Sequence, residues 1–396
     1  MTRLGFWIWV FVGIWDLGFG ISAAEPLKLT VQPEKVDRRS VLVEYGADTY
    51  QVSDPPFRLR EQTTGVEVPC QWEVRDSSTI IRWQIPFLAA GESSRYVMDH
   101  AGSPAGSGAG VVRKENGEGS ASIVVHGREV TRYHDAQKEI DQFWKPYFYP
   151  LLGPGDVHMT RGFPMETRPG EDQDHPHHVS VYLGHGDVNG KDFWSRQVPI
   201  HPASPATFES GTVVGRLWTE NAWSIGESVV LREKRIVEFP NFSPEVMMDW
   251  TIYLTAGADT VTFGKTKEGS FAIRVAQGLT EKAGAVMVDS EGRHGEKEIW
   301  SKAAKWVDYS GTVEGKKVGI SIMNHPDSFR FPTTWHARGY GLFAANPFMN
   351  EAHTMKKGES LTLKYRVYVH SGNADEGKVA EVYNGYAIPA RVTVEK

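Results

Sequence analysis

The chain has 396 residues, 23% of them charged, and a formal net charge of -6. That length can bury large cores, and the mild acidity argues against a nucleic-acid binder, which needs a basic face. Its 13 Trp, 14 Tyr and 18 Phe beside 40 Gly suit short strands, tight turns and aromatic-lined grooves.

At the N-terminus, Arg3 precedes an apolar run from Gly5 to Trp15, and Ser22-Ala23-Ala24 offers small residues before Glu25. This pattern predicts a secretory signal peptide over residues 1–24, cleaved after Ala24. The run is too short for a transmembrane span, and no later segment is apolar for long enough. The processed chain is therefore expected in the periplasm or outside the cell, with no stable membrane insertion. Its lone cysteine, Cys70, cannot form an intrachain disulfide, so the core alone must hold the fold.

Residues 25–100 read as a small β domain, with strands expected at Leu27 to Val31, Val41 to Tyr45 and Ile80 to Ile85. Residues 101–110 (AGSPAGSGAG) have linker composition and mark a domain boundary. From 111 to 396 strand signals dominate, and the best helix candidate is Asp375 to Asn384. The expected fold class is all-β. About 285 residues exceed a simple immunoglobulin-like sandwich, which favours a large two-sheet β-sandwich after the small domain. No fixed-period repeat points to a propeller or β-helix.

The first constellation in this region is FWKPYFYPL, Phe143 to Leu151. Pro146 and Pro150 hold it extended, and Lys145, Tyr147 and Tyr149 are polar tips on an apolar ribbon. Arg161 follows as a clamp for a carboxylate or phosphate, or as part of a structural ion pair. Then comes DHPHHVSVYLGHGDVNGKDFW, Asp174 to Trp194, with His175, His177, His178 and His185 in eleven residues, beside Asp187 and Asn189. Its middle, Val179 to Leu183, reads as a strand, which would send His177 and His178 to opposite faces. A core does not need four imidazoles, each of which must satisfy two ring nitrogens.

Further on, Lys267 and Glu268 form a charged turn before a strand ending in Arg274, and Glu268 is a candidate general acid or base. A second histidine-rich segment carries His325, His336 and Arg338, with Asn346 in the turn after it. The two segments are expected to meet around one site.

The motifs KPYFYPL, HPHHVSVYLGHGDVNGKDFW and HPDSFRFPTTWHARGYGLFAANPF resemble the bacterial family labelled methane oxygenase PmoA-like, over residues 111–396. The sequence lacks the membrane spans of a methane monooxygenase subunit, so that activity is not carried over. In architecture the chain resembles the galactose mutarotase-like supersandwich of aldose epimerases and polysaccharide lyases. That resemblance implies a sheet face on which two histidines and a carboxylate handle a sugar.

The leading expectation is an exported carbohydrate-active enzyme using His/carboxylate acid–base chemistry on a sugar or oligosaccharide, as an epimerase, lyase or hydrolase. Its catalytic candidates are His175, His177, His178, His185, Glu268, His325 and His336. Substrate contacts would come from Lys145, Tyr147, Tyr149, Arg161, Asp187, Asn189, Lys267, Arg274, Arg338 and Asn346. No cofactor is required by this reading. The first alternative is a divalent transition metal on His175, His177 and His185; the second is a non-catalytic sugar-binding module.

Overall fold

Strand Val246–Ala256 shows how the sequence pattern becomes a sandwich. Met248, Trp250, Ile252 and Leu254 are buried along one face, while Asp249, Thr251 and Tyr253 alternate outward. In the computed structural model, residues 25–48, 56–75, 78–100, 110–116 and 120–395 are described. The expected signal peptide lies outside the described residues, as does the expected linker apart from Gly110.

The chain is all-β, and its large domain is two antiparallel sheets packed face to face. One has eight strands in the order Trp335–Ala337, Leu342–Ala345, Gly269–Arg274, Val181–His185, Tyr147–Leu151, Arg128–His134, Ser120–Val125 and Val111–Glu115. The other has nine strands, with Val214–Ile225, Ser228–Pro240, Val246–Ala256, Ser360–Ser371 and Lys316–Asn324 as its centre. Aromatic rings from the two sheets interleave between them. Phe148 meets Trp250 at 5.1 Å, Trp250 meets Phe271 at 4.9 Å, and Phe271 stacks on Tyr365 at 5.0 Å. Each such side chain contributes about 1.5–3 kcal/mol over leaving it exposed. This shared core fixes how the eight-stranded sheet presents its opposite, outer face.

Helix Val379–Ala387, close to the expected helix, covers the outer face of the nine-stranded sheet, where Val379, Val382 and Tyr383 pack on Met323 and Tyr368. The small domain is built from a five-stranded and a three-stranded sheet around Val41, Leu59, Ile81, Trp83 and Met98. Strand Val392–Glu395 crosses back to pair with Leu27–Val31, so the end of the 111–396 region completes the small domain. Among the described residues, no helix is long and apolar enough to cross a membrane.

Candidate active site

In strand Val181–His185, Val181 and Leu183 point into the inter-sheet core, which sends Tyr182 to the outer face. The neighbouring strands do the same in register. Tyr182 pairs with Tyr147 on one side and with Ala272 on the other. Arg274 on that second strand, and His336 on strand Trp335–Ala337, join this face. The outer face is then walled by Trp194, whose ring lies 5.0 Å from Tyr182 and 6.5 Å from His336.

The histidine-rich segment does not run as a strand from Val179. The strand begins at Val181, and residues before it turn, with His175 at φ 43 and Ser180 at φ 64. The expectation that His177 and His178 face opposite ways is therefore corrected. The turn gathers all three rings: His175 stacks on His178 at 4.8 Å, and His177 meets His178 at 4.4 Å. His178 is buried and lies 5.9 Å from Trp194. Trp194 thus links this turn to His336, and the two histidine-rich segments meet through it. Tyr340 closes the group by stacking on His175 at 5.1 Å.

Several buried polar atoms on this face have no hydrogen-bond partner in the protein: His178 Nδ1, Tyr182 Oη, Trp194 Nε1, and Arg274 Nε and Nη1. Neither ring nitrogen of buried His336 has a well-aligned partner either, although the Lys267 backbone lies close. Other unpartnered atoms are scattered through the described residues, but these five residues converge. Buried polar groups are normally paired, and these atoms are donors and acceptors not taken up by the protein.

The electrostatics are positive. Asp174 is the carboxylate between two buried guanidinium groups: Arg161 pairs with it directly, and Arg274 Nη2 donates to its Oδ1 at 2.8 Å. Burial works against that charge, but Arg274 and Arg161 hold the Asp174 carboxyl below its ordinary range. Burial, followed by Lys145 and His175, pushes His177 down to about 4. Burial, followed by His177 and Arg274, holds His178 well below 6.5. Burial, then Arg338 and Lys267, takes His336 to about 3. Burial and neighbouring cations thus favour the neutral form of all three imidazoles. Lys145, fully buried, donates to the carbonyls of His177 and Trp194 with its ammonium over the Tyr182 ring at 4.9 Å. Desolvation brings it down to about 7.

The remaining predicted residues divide between the rim and elsewhere. Glu268 and Lys267 sit at the rim, 3.6 Å apart, on a loop that buried Asn346 anchors by donating to the Thr266 and Lys267 carbonyls. Arg338 lies over Tyr340, with its Nε 2.8 Å from Glu296 but not aimed at it. Tyr147 and Tyr149 share the face, but their hydroxyls are engaged by Glu139 and Arg168 at 2.7 and 2.8 Å. Arg161 spends all its donors on Phe163, Asp172, Asp174 and His175, so it braces the turn rather than meeting a substrate.

Three placements differ from the sequence expectation. His185 lies on the core side, against Phe263 and Phe348, and its Nε2 donates to the Gly264 carbonyl at 2.9 Å. It is on the wrong side of the sheet to join His175 and His177 in the metal set. Asp187 and Asn189 belong to a turn stapled to strand Thr260–Phe263, where Asn189 bridges Thr260 and Thr262. His325 packs on Tyr386 beneath the helix that covers the other sheet. Among the described residues, no group of three His, Cys, Asp or Glu side chains is arranged to hold a metal ion. A cleft of about 650 Å³ between the small domain and the sandwich, lined by Arg39, Gln84, Tyr96, His126 and Glu245, contains none of the predicted site residues.

Sequence reasoning missed Tyr182, Trp194 and Tyr340. Tyr182 carried a usable signal, since a tyrosine between Val181 and Leu183 must face away from their core. Trp194 and Tyr340 lie in loops, where spacing does not tell which way a ring points.

The family model of DUF6807, a family of unknown function, matches residues 120–384, and the chain belongs to that family. All three motifs that resemble the PmoA-like family fall inside this match, which corrects that resemblance. No curated protein matches the chain. Among solved structures, a protein of glycosyl hydrolase family 38 from Enterococcus faecalis is similar with a TM-score of 0.48 and 9% identity, over 94% of this chain and 47% of that one. An alpha-mannosidase from Enterococcus faecalis V583 gives a TM-score of 0.44 and 10% identity, over 94% and 46%. The chain spans about half the length of either.

Proposed function

We propose that in this member of the DUF6807 family the outer face of the eight-stranded sheet is the active site of an exported carbohydrate-active enzyme. The carrying observation is the convergence of His178, Tyr182, Trp194, Arg274 and His336 with unpartnered polar atoms on one buried face. A polyhydroxylated ligand offers donors and acceptors in many directions and would satisfy that mixed set.

In this reading His336 and His178 are the proton acceptors, because burial keeps both neutral at working pH. Tyr182 is the opposing hydrogen-bond donor, because burial keeps it a neutral phenol. Glu268, at the rim, is a second carboxylic group within reach of incoming substrate. Lys145 is a positioning residue: it ties the His177 and Trp194 backbones together under the Tyr182 ring.

The test is to incubate the protein in deuterated water with a panel of mono- and oligosaccharides. Nuclear magnetic resonance would follow carbon-bound deuterium, new double bonds and new reducing ends. Turnover by the wild type that falls by about 100-fold or more in His336→Ala is the expected result. Turnover undiminished in that variant would remove the site from this face.

A further inference from the structure

Resting on that reading of the site, we infer that its substrate carries a carboxylate, as a uronic or related sugar acid does, and that Arg274 is the residue that binds it. The geometry separates the two buried arginines. Arg161 has every N–H committed to Asp174, His175, Phe163 and Asp172. Arg274 is equally buried, yet donates only through Nη2, to Asp174, and leaves Nε and Nη1 without partners. One carboxylate, Asp174, therefore answers two guanidinium groups, which leaves one buried positive charge uncompensated. Burying a charge is tolerated when it is paired. An anion carried in by the ligand completes that pairing.

The surroundings agree. Arg274 and Arg161 lower the proton affinity of His178, and Arg338 and Lys267 lower that of His336. A ligand carboxylate placed here would raise the proton affinity of both imidazoles, the direction a general base needs. Arg274, by neutralising that carboxylate, would also acidify the hydrogen on the carbon beside it. Tyr340 covers the guanidinium at 4.6 Å and is carried between Gly339 and Gly341, the latter at φ 95. Its partly buried ring is the cover that must shift to admit the acid group.

The experiment is calorimetric titration of the full chain with D-glucuronate and D-galacturonate, each beside its neutral parent sugar and a sugar 6-sulfate. A uronate that binds about tenfold or more tightly than its parent, with that margin lost in Arg274→Gln, is the expected result. Thermal stabilisation of the wild type by the same ligands gives a reading that needs no variant. Neutral sugars binding as well as uronates would overturn this inference and leave the proposed sugar site standing. A preference for the sulfated sugar would overturn the carboxylate assignment. An Arg274→Gln variant that folds and keeps the uronate preference would move the acid group elsewhere. No saturable binding of any sugar would sink both readings.

Discussion

Replacing Lys145 by Met tests whether the floor of this site is as dry as its geometry implies. Lys145 is fully buried, and desolvation is the dominant influence on it; Asp192 opposes and Arg196 assists, leaving the ammonium at about 7 against 10.5 for a free lysine. Between those two values the unfolded chain binds a proton that the folded chain does not. Stability from this group therefore rises with pH across that window, at about 1.4 kcal/mol per pH unit, and its penalty is fullest below the folded value. The absolute effect of Lys145→Met mixes relief of this penalty with the loss of donors to the His177 and Trp194 carbonyls. The pH dependence isolates the charge. Urea unfolding at about pH 7.5 and about pH 9.5 should show the wild type gaining roughly 2–3 kcal/mol relative to Lys145→Met. A difference that stays flat would mean that Lys145 remains an ammonium with a counter-charge, and that the floor of the site is wetter than its packing suggests.

Tyr182→Phe removes a buried hydroxyl that has no partner in the protein. Thermal unfolding should change by less than about 1 kcal/mol while turnover or ligand affinity falls at least about tenfold; equal losses in both would make Tyr182 structural. His370→Ala addresses the opposite sheet, where buried His370 lies 2.9 Å from buried Asp308, which also accepts from Ser321 at 2.6 Å. Burial opposes the imidazolium, but Asp308 outweighs it and holds His370 above 6.5. Its removal should cost about 3–5 kcal/mol by leaving the carboxylate unpaired. The wild-type contribution should be full below about pH 6.5 and fade as pH rises through the folded value; a loss under about 1 kcal/mol would contradict the pairing. Elemental analysis should find below about 0.1 equivalents of transition metal per chain, with activity indifferent to chelators. One tightly held equivalent lost in His177→Ala would revive a metal reading of the histidine turn.

The all-β class and most strands were legible because hydrophobic alternation is a local property. Leu27 to Val31 was readable as a strand and folds with those bounds, while Val41 to Tyr45 and Ile80 to Ile85 lie within longer strands. The composition of the histidine stretch also marked a place where imidazole rings gather, and three of its four histidines do come together. Local pattern could not assign sides. His185 and Tyr182 lie in one strand, three residues apart, and only the packing of that strand on the nine-stranded sheet puts His185 in the core and Tyr182 on the outer face. The turn at His175, which brings three rings together instead of dividing them, depends on Arg161 and Asp174 gripping it. Likewise, Arg161 and Arg274 are indistinguishable as letters. Which of them is spent on the protein and which is left with donors to offer was decided by tertiary hydrogen bonding, because a guanidinium's role depends on the acceptors that distant parts of the chain bring to it.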